Sequence, residues 1–497
     1  MATVRSATLL GLHGRVLEVT AVTKVGLPQT VMPGPDNETQ RDRVRAAIIN
    51  SGLRWPDANL TVTVLPGGLI KRASATDLAI AVAVATAAGS LPSRAAENVM
   101  YYAELGLDGA LRPLSGVLPA VAAAAEAGCR AVVVAKQNAA EASLVRGITV
   151  IGASRLAQVA EWLCGGPVPE AIAVRLRHSQ APGDIADVHG NLLARTAAEI
   201  SAAGGHHLSL VGPPGSGKAL LASRLAGLLP PLCETDALEV ATLHSAAGLL
   251  GPDGTLRNEL RFWEADQGIT VADLLGSRRN GVLEPGIAAL AHHGVLFLGE
   301  APGFNRAVLD ALRQPLTHGA IGLMPHGGER EVWFPARFLL VVSASPCPCA
   351  AAGVPPKSCS CSPVARSRYL GRLSGPLQDR ISLRASMSPA ERGKQGETTE
   401  VVAARVLTAR ERATLRLAGT PWRVNGEVPG EEMLRRFMPA AGGWDLIERA
   451  IGLGRVSEFA AADVLRVGWT IADLAGRDRP DRGDCALALA YRIGEPR

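Results

Sequence analysis

The run Gly212-Pro213-Pro214-Gly215-Ser216-Gly217-Lys218-Ala219 gathers residue types suited to one kind of ligand, a chain of phosphates. Its glycines let backbone N–H groups wrap an anion, and the Lys218 ammonium can reach terminal phosphates. The apolar stretch 208–211 before it reads as a strand and 220–229 after it as a helix, whose N-terminal dipole adds to the anion site. A plain Gly/Pro turn between strand and helix would not need the lysine. The eighth position is Ala219, where the motif calls for Ser or Thr to place a hydroxyl on magnesium. ATP or ADP is therefore the expected ligand, with the Mg2+ position in doubt.

A second run, 293–300 (HGVLFLGE), carries four apolar residues into two positions that phosphoryl-transfer sites of this kind fill with Asp and Glu. Here they are Gly299 and Glu300. Glu300 is the candidate base for an attacking water, while the carboxylate that would hold the metal is missing. The plain alternative is a buried strand that ends in a surface glutamate.

Four of the eight cysteines form two C-x-C pairs, Cys347 with Cys349 and Cys359 with Cys361. Four thiolates suffice for a tetrahedral structural zinc, although zinc pairs commonly use a C-x₂₋₄-C spacing. Zn2+ and free or redox-active thiols both stand as readings of the cluster. A reducing compartment suits either, and disulfides are not expected.

These groups need a scaffold, and 497 residues allow two or three cores rather than one. A 47% hydrophobic, 20% charged and 4% aromatic composition describes globular domains with cores of Ala, Val and Leu. The formal charge of +5 permits contact with nucleic acid without arguing for it. The most apolar run, 78–88 (LAIAVAVATAA), is about half of what spans a bilayer and reads as a buried helix. The first residues alternate apolar and polar, so they read as a strand and not as a signal peptide. No membrane association and a cytoplasmic location are expected.

The Gly/Pro-rich stretch 165–169 and the polar stretch 178–184 punctuate the chain. Domains are therefore expected at 1–165 and 185–388, with a linker at 166–184 and a helical lid at 389–497. The first alternates β-rich segments such as 60–65 and 131–134 with Ala-rich helices such as 118–127. The second alternates strands at 208–211, 295–298 and 338–342 with helices, the pattern of an α/β/α parallel sheet. Past about Ser388 the periodicity is helical throughout. The fold class is α/β multidomain.

The run 212–218, together with 309–316 (LDALRQPL), 334–338 (FPARF), 346–349 (PCPC) and 368–380 (RYLGRLSGPLQDR), resembles the ComM (YifB) family of magnesium-chelatase-like AAA+ P-loop proteins. Residues 41–47 (RDRVRAA) and 464–474 (VLRVGWTIADL) extend the resemblance over nearly the whole chain. It implies a Lon-protease-like N-terminal domain of the ChlI type, a central AAA+ module and a chelatase-type C-terminal lid. It also implies a hexameric ring and a role in branch migration of DNA during recombination of incoming strands. By the same resemblance Arg380 stands where an arginine finger reaches the nucleotide of the neighbouring subunit, a role a guanidinium suits because it cannot deprotonate. A surface salt-bridging arginine is its plain alternative. Ser345 stands in place of the sensor-1 asparagine, and Phe459 in place of the sensor-2 arginine. Laid on the Lon motifs, Ala75 falls at the nucleophile and Leu118 at the basic lysine, so no protease dyad is expected. Lys71 and Ser74 read as a solvated turn.

Two function classes follow. One is an ATP-driven DNA motor that hydrolyses between Lys218 and Glu300 of one subunit and Arg380 of the next. The other is a nucleotide-binding, hydrolysis-impaired structural or regulatory subunit, in a homo-oligomeric ring or in a mixed ring with an intact paralogue. The second accounts for changes confined to metal and γ-phosphate positions. The stretch 324–331, where a DNA-contacting hairpin is expected, has one arginine between two glutamates, a weak basis for phosphate contacts. A chelatase-type subunit is a third reading, and no sequence feature marks a tetrapyrrole partner.

Overall fold

The computed structural model describes residues 1–32, 37–66, 73–169, 183–251, 262–279, 282–324, 331–350, 359–373, 375–389 and 396–494. Most of the expected linker, Lys71 and positions 325–330 of the expected hairpin lie outside the described residues. No helix among those described is long and apolar enough to cross a membrane.

The first 153 residues build a seven-stranded sheet in the order Gln29–Val31, Asn59–Leu65, His13–Lys24, Ala2–Leu10, Val99–Tyr102, Ala131–Ala135, Thr149–Ala153. The opening segment, read above as one strand, is an antiparallel hairpin of Ala2–Leu10 on His13–Lys24. Gly11 makes the reversal, at φ +62°, a conformation that costs glycine little. Helix Asp77–Ala87 is the apolar run read as buried, and its residues from Asp77 to Thr86 are all buried. Apolar on every side, it has no solvent face and packs in the core with Leu17, Val62 and Tyr101.

The central sheet has five strands in the order Phe262–Ala265, Val295–Leu298, Leu339–Ala344, Leu208–Val211, Leu383–Ser386. Every pairing is parallel. Such strands are covered on both faces, which is why they read as continuous apolar runs. Their alternate side chains feed two cores. Leu208, Leu210, Phe297 and Val341 face one, together with Leu221 and Leu225 of the helix that follows the glycine loop. Leu296, Leu298, Leu340 and Val342 face the other.

After Ser386 the described chain is helical, with Thr399–Arg416, Gly430–Arg436, Gly443–Gly452, Glu458–Leu474 and Arg482–Ile493 as its main elements. These helices share the first core: Val402, Val406, Leu465, Trp469 and Tyr491 pack with Ala197 and Leu208. Arg405 pairs with Glu199 at 2.7 Å, and Tyr491 donates to the Leu193 carbonyl at 2.9 Å. The N-terminal sheet docks on the central module through helix Val117–Glu126, whose Leu118 packs on Ala237, Val240 and Ala241 of helix Glu234–Ala246.

Candidate nucleotide site

Strand Leu208–Val211 ends between its two parallel neighbours and hands the chain to the glycine loop, after which Lys218 opens helix Lys218–Leu225. Gly215 and Gly217 take φ of +78° and +88°, values that suit glycine and turn successive peptide groups into a concave cradle. The Gly212 N–H is spent on the Ala344 carbonyl at 3.1 Å, which ties the loop to the adjacent strand end. Pro214 and Ala219 are exposed, and Pro213 is buried. Ser216 is only 2% exposed, yet its hydroxyl has no hydrogen-bond partner among the described residues. An orphaned buried hydroxyl inside an anion cradle fits a ligand oxygen.

Lys218 is buried, and its Nζ donates to the carbonyls of Gly212 at 2.6 Å and Pro213 at 3.1 Å. The same ammonium lies 3.2 Å from Glu300 Oε1. The other oxygen of Glu300 accepts from the Ser345 N–H at 2.8 Å and the Tyr369 hydroxyl at 3.2 Å. Glu300 itself sits in the left-handed region at φ 51°, and its N–H donates to Ser343 Oγ at 3.1 Å. Burial works against ionisation of this carboxyl, but the Lys218 charge and the Ser345 hydrogen bonds outweigh it and hold it below the usual carboxylate range. Burial and the adjacent Glu300 charge push the Tyr369 phenol up to about 12, so it stays a donor. A cavity of about 320 Å³ opens here, lined by Pro214, Glu300, Ser345, Cys347 and Tyr369 among others.

Arg380 occupies a different place within the chain. Its guanidinium donates to the Leu316 carbonyl at 3.2 Å and to Thr317 Oγ1 at 2.7 Å, at the end of helix Arg313–His318. It is not among the described partners of Lys218 or Glu300. Phe459 is 69% exposed at the start of helix Glu458–Leu474. Ala75 and Leu118, the residues expected at the positions of a Lon-type dyad, are both buried.

The four thiols converge. Sγ of Cys347 lies 3.2 Å from that of Cys349 and 3.4 Å from that of Cys359, and Cys349 lies 3.5 Å from Cys359. With Cys361, all four sulfurs lie within 4.8 Å of one another. A tetrahedral zinc at about 2.3 Å from each sulfur spaces them about 3.8 Å apart, so the donor set fits that ion. The Cys361 N–H is the first of several donors that lower the Cys359 thiol to about 6.

Three groups of this region carried no sequence signal. Tyr369 lies in the run 368–380 as one more aromatic, and its contact with Glu300 spans 69 positions. Glu264 lies in a short edge strand, Phe262–Ala265, with no motif. Glu239, His292 and His293 come together as well. There the Arg337 N–H donates to His292 Nδ1 at 3.0 Å while Nε2 meets Glu239 at 3.1 Å, so both ring nitrogens of His292 are engaged and the trio is a structural network.

Residues 184–395 match the family described as magnesium chelatase, subunit ChlI; residues 18–138 match subunit ChlI of Mg-chelatase, and 396–492 its C-terminal part. The chain is similar to a Mycobacterium tuberculosis protein, 43% identical over 495 residues that cover 98% of this chain and 97% of that one. It is 35% identical over 492 residues to the competence protein ComM of Haemophilus influenzae, covering 95% and 91% of the two chains. YifB of Salmonella typhimurium is 34% identical over 504 residues, covering 99% and 97%.

Proposed function

We propose that this chain, which belongs to the ComM/YifB family of magnesium-chelatase-like AAA+ proteins, binds ATP or ADP as a ring subunit with impaired hydrolysis. Its role is then structural or regulatory in DNA recombination or uptake, in keeping with a relative named as a competence protein. The observation that carries the reading is the pairing of an intact cradle with an incomplete metal site. The two φ-positive glycines, the orphaned Ser216 hydroxyl and Lys218 converge on one loop. Beside them, Ala219 and Gly299 offer no oxygen from their side chains.

When bound, magnesium would neutralise charge on the phosphates. Lys218 would exchange its carbonyl partners for phosphate oxygens, and Glu300, released from the ammonium, would orient water. Phosphoryl transfer depends almost wholly on positioning and electrostatics, so loss of metal ligands slows it by orders of magnitude while binding survives. The alternative, an active hexameric branch-migration helicase with Arg380 as the finger in trans, shares every part of this site and differs in rate.

Titration calorimetry with ATP and ADP, paired with a phosphate-release assay with and without branched DNA, separates the two. The expected result is binding that Lys218→Ala abolishes, with very slow turnover. Brisk magnesium-dependent turnover that Lys218→Ala removes would overturn impairment and favour the motor.

A further inference from the structure

Gly299 leaves a gap where a metal-holding aspartate would project, and the gap has an occupant. A Cβ built on Gly299 would meet the Phe297 ring at 3.4 Å and Oε1 of Glu264 at 3.5 Å. A carboxylate oxygen therefore already stands where the side chain of an aspartate at 299 would extend. We infer that Glu264 is a metal-positioning residue, holding the nucleotide-bound divalent cation, directly or through one of its waters, in place of the absent aspartate. The inference rests on the nucleotide-binding reading above.

Strand geometry places Glu264 on the correct side of the sheet. Strand Phe262–Ala265 pairs in parallel with Val295–Leu298, and Glu264 stands opposite Phe297. Directly paired residues of neighbouring strands share a face. Phe297 packs in the same core as Leu221, Ala222 and Leu225 of the helix that begins at Lys218, so this face is the one covered by the helix that follows the glycine loop. Phe262, two residues before Glu264, stacks on Phe297 with centroids 6.0 Å apart, which fixes the edge strand against its neighbour.

Length compensates for position. Glu264 projects from one strand farther out than Gly299, and glutamate is one methylene longer than aspartate. Its carboxylate is exposed, and no hydrogen bond or ion pair engages it among the described residues. The neighbouring carboxylate differs in this respect: Glu300, at the end of the next strand, has Lys218, Ser345 and Tyr369 around it. Magnesium is ordinarily held by one or two carboxylates, the phosphates and several waters; Glu264 supplies a carboxylate to that set and leaves the hydroxyl missing at Ala219 unreplaced.

The test uses the full chain, ADP and Mn2+, whose bound fraction is read by electron paramagnetic resonance. The parent is expected to bind one Mn2+ per chain only when ADP is present, and ADP more tightly with Mn2+ than with chelator, since the coupling is reciprocal. Glu264→Gln should lower Mn2+ affinity in the ADP complex by roughly 10–100-fold and shrink the gain that the metal gives to ADP binding. Glu264→Asp should recover part of the loss, and Gly299→Asp introduced into Glu264→Gln should recover more. Unchanged Mn2+ affinity in Glu264→Gln, with ADP still bound, overturns this assignment and leaves the nucleotide site standing. Failure of the parent to bind ADP with or without Mn2+ overturns both.

Discussion

Glu300 shows how a single side chain is held by its surroundings. A non-glycine residue in the left-handed region costs on the order of 1 kcal/mol or more, and such strain persists where surrounding contacts over-determine it. Ser343, Ser345, Tyr369 and Lys218 are those contacts. Under the proposed reading, the side-chain oxygens that Ala219 and Gly299 do not offer invite repair. Ala219→Thr together with Gly299→Asp should raise steady-state phosphate release more than either change alone, because two ligands on one ion do not act additively. Gly299→Asp by itself sets a second carboxylate against Glu264, whose oxygen would lie 3.5 Å from the new Cβ, and like charges so placed resist ionising together. The single variant should therefore gain least, and adding Glu264→Gln to the double variant should raise the rate further. Equal rates in all these variants would mean that metal placement does not limit turnover. That Ala219 and Gly299 offer no side-chain oxygen was legible because a motif sets an expectation for each position. Glu264 was not, since its relevance comes from strand register between segments more than thirty positions apart.

The loop that carries the cysteines shows the same limit at the scale of an element. The sequence offers two C-x-C pairs, but the convergence of their sulfurs depends on how the chain returns after the sensor strand. Its two ends meet at one carboxylate: the Ser345 N–H, two residues before Cys347, and the Tyr369 hydroxyl, eight after Cys361, both donate to Glu300 Oε2. A zinc ion held by Cys347, Cys349, Cys359 and Cys361 would therefore also brace the groups that orient Glu300. Elemental analysis of the purified protein is expected to give one zinc per chain, and Cys359→Ser to lose it. The same variant should bind ATP more weakly, because Cys347 lines the cavity beside Glu300. Zinc retained in Cys359→Ser would move the site elsewhere, and a metal-free parent would leave the cluster as free thiols. Both central-sheet strands named for chemistry, 208–211 and 295–298, were legible from uninterrupted apolar runs, as strands covered on both faces must be. The opening hairpin was not, because its reversal rests on Gly11 and a two-residue turn that hydrophobic alternation does not reveal.

Across the whole molecule, the N-terminal sheet and the central module are joined through the buried Glu141 side chain. Glu141 Oε1 accepts from the Leu118 N–H at 3.2 Å and from the Ser245 hydroxyl, and Oε2 accepts from Asn138 Nδ2 at 3.3 Å. The Gly116 N–H adds a 2.7 Å bond to the Ser245 carbonyl. Leu118, expected from the resemblance at the lysine position of a Lon-type dyad, is thus a docking residue whose side chain packs on helix Glu234–Ala246. The sequence led to the expectation of no protease dyad, but the docking surface at Leu118 becomes visible only with both domains in place. Burial raises the Glu141 pKa from its ordinary value of 4.5, against the pull of its hydrogen-bond donors. A raised folded-state pKa means that the group's contribution is fully present below 4.5 and is lost as pH climbs through the folded value. The Glu141 contribution to thermal stability should accordingly decline as pH rises above 4.5, so the pH dependence of the parent and of Glu141→Gln should differ by that loss. Glu141→Ala removes the acceptor of the Ser245 hydroxyl, while the Leu118 N–H keeps Ser245 Oγ at 3.2 Å and Asn138 Nδ2 keeps the Leu114 carbonyl at 3.0 Å; a buried donor left unpaired costs roughly 1–3 kcal/mol. It should split a single calorimetric transition into two, with the N-terminal sheet melting first and ADP shifting only the second. A single transition in Glu141→Ala that ADP shifts as a whole would mean that the apolar contact of Leu118 with Ala237, Val240 and Ala241 suffices to hold the domains together.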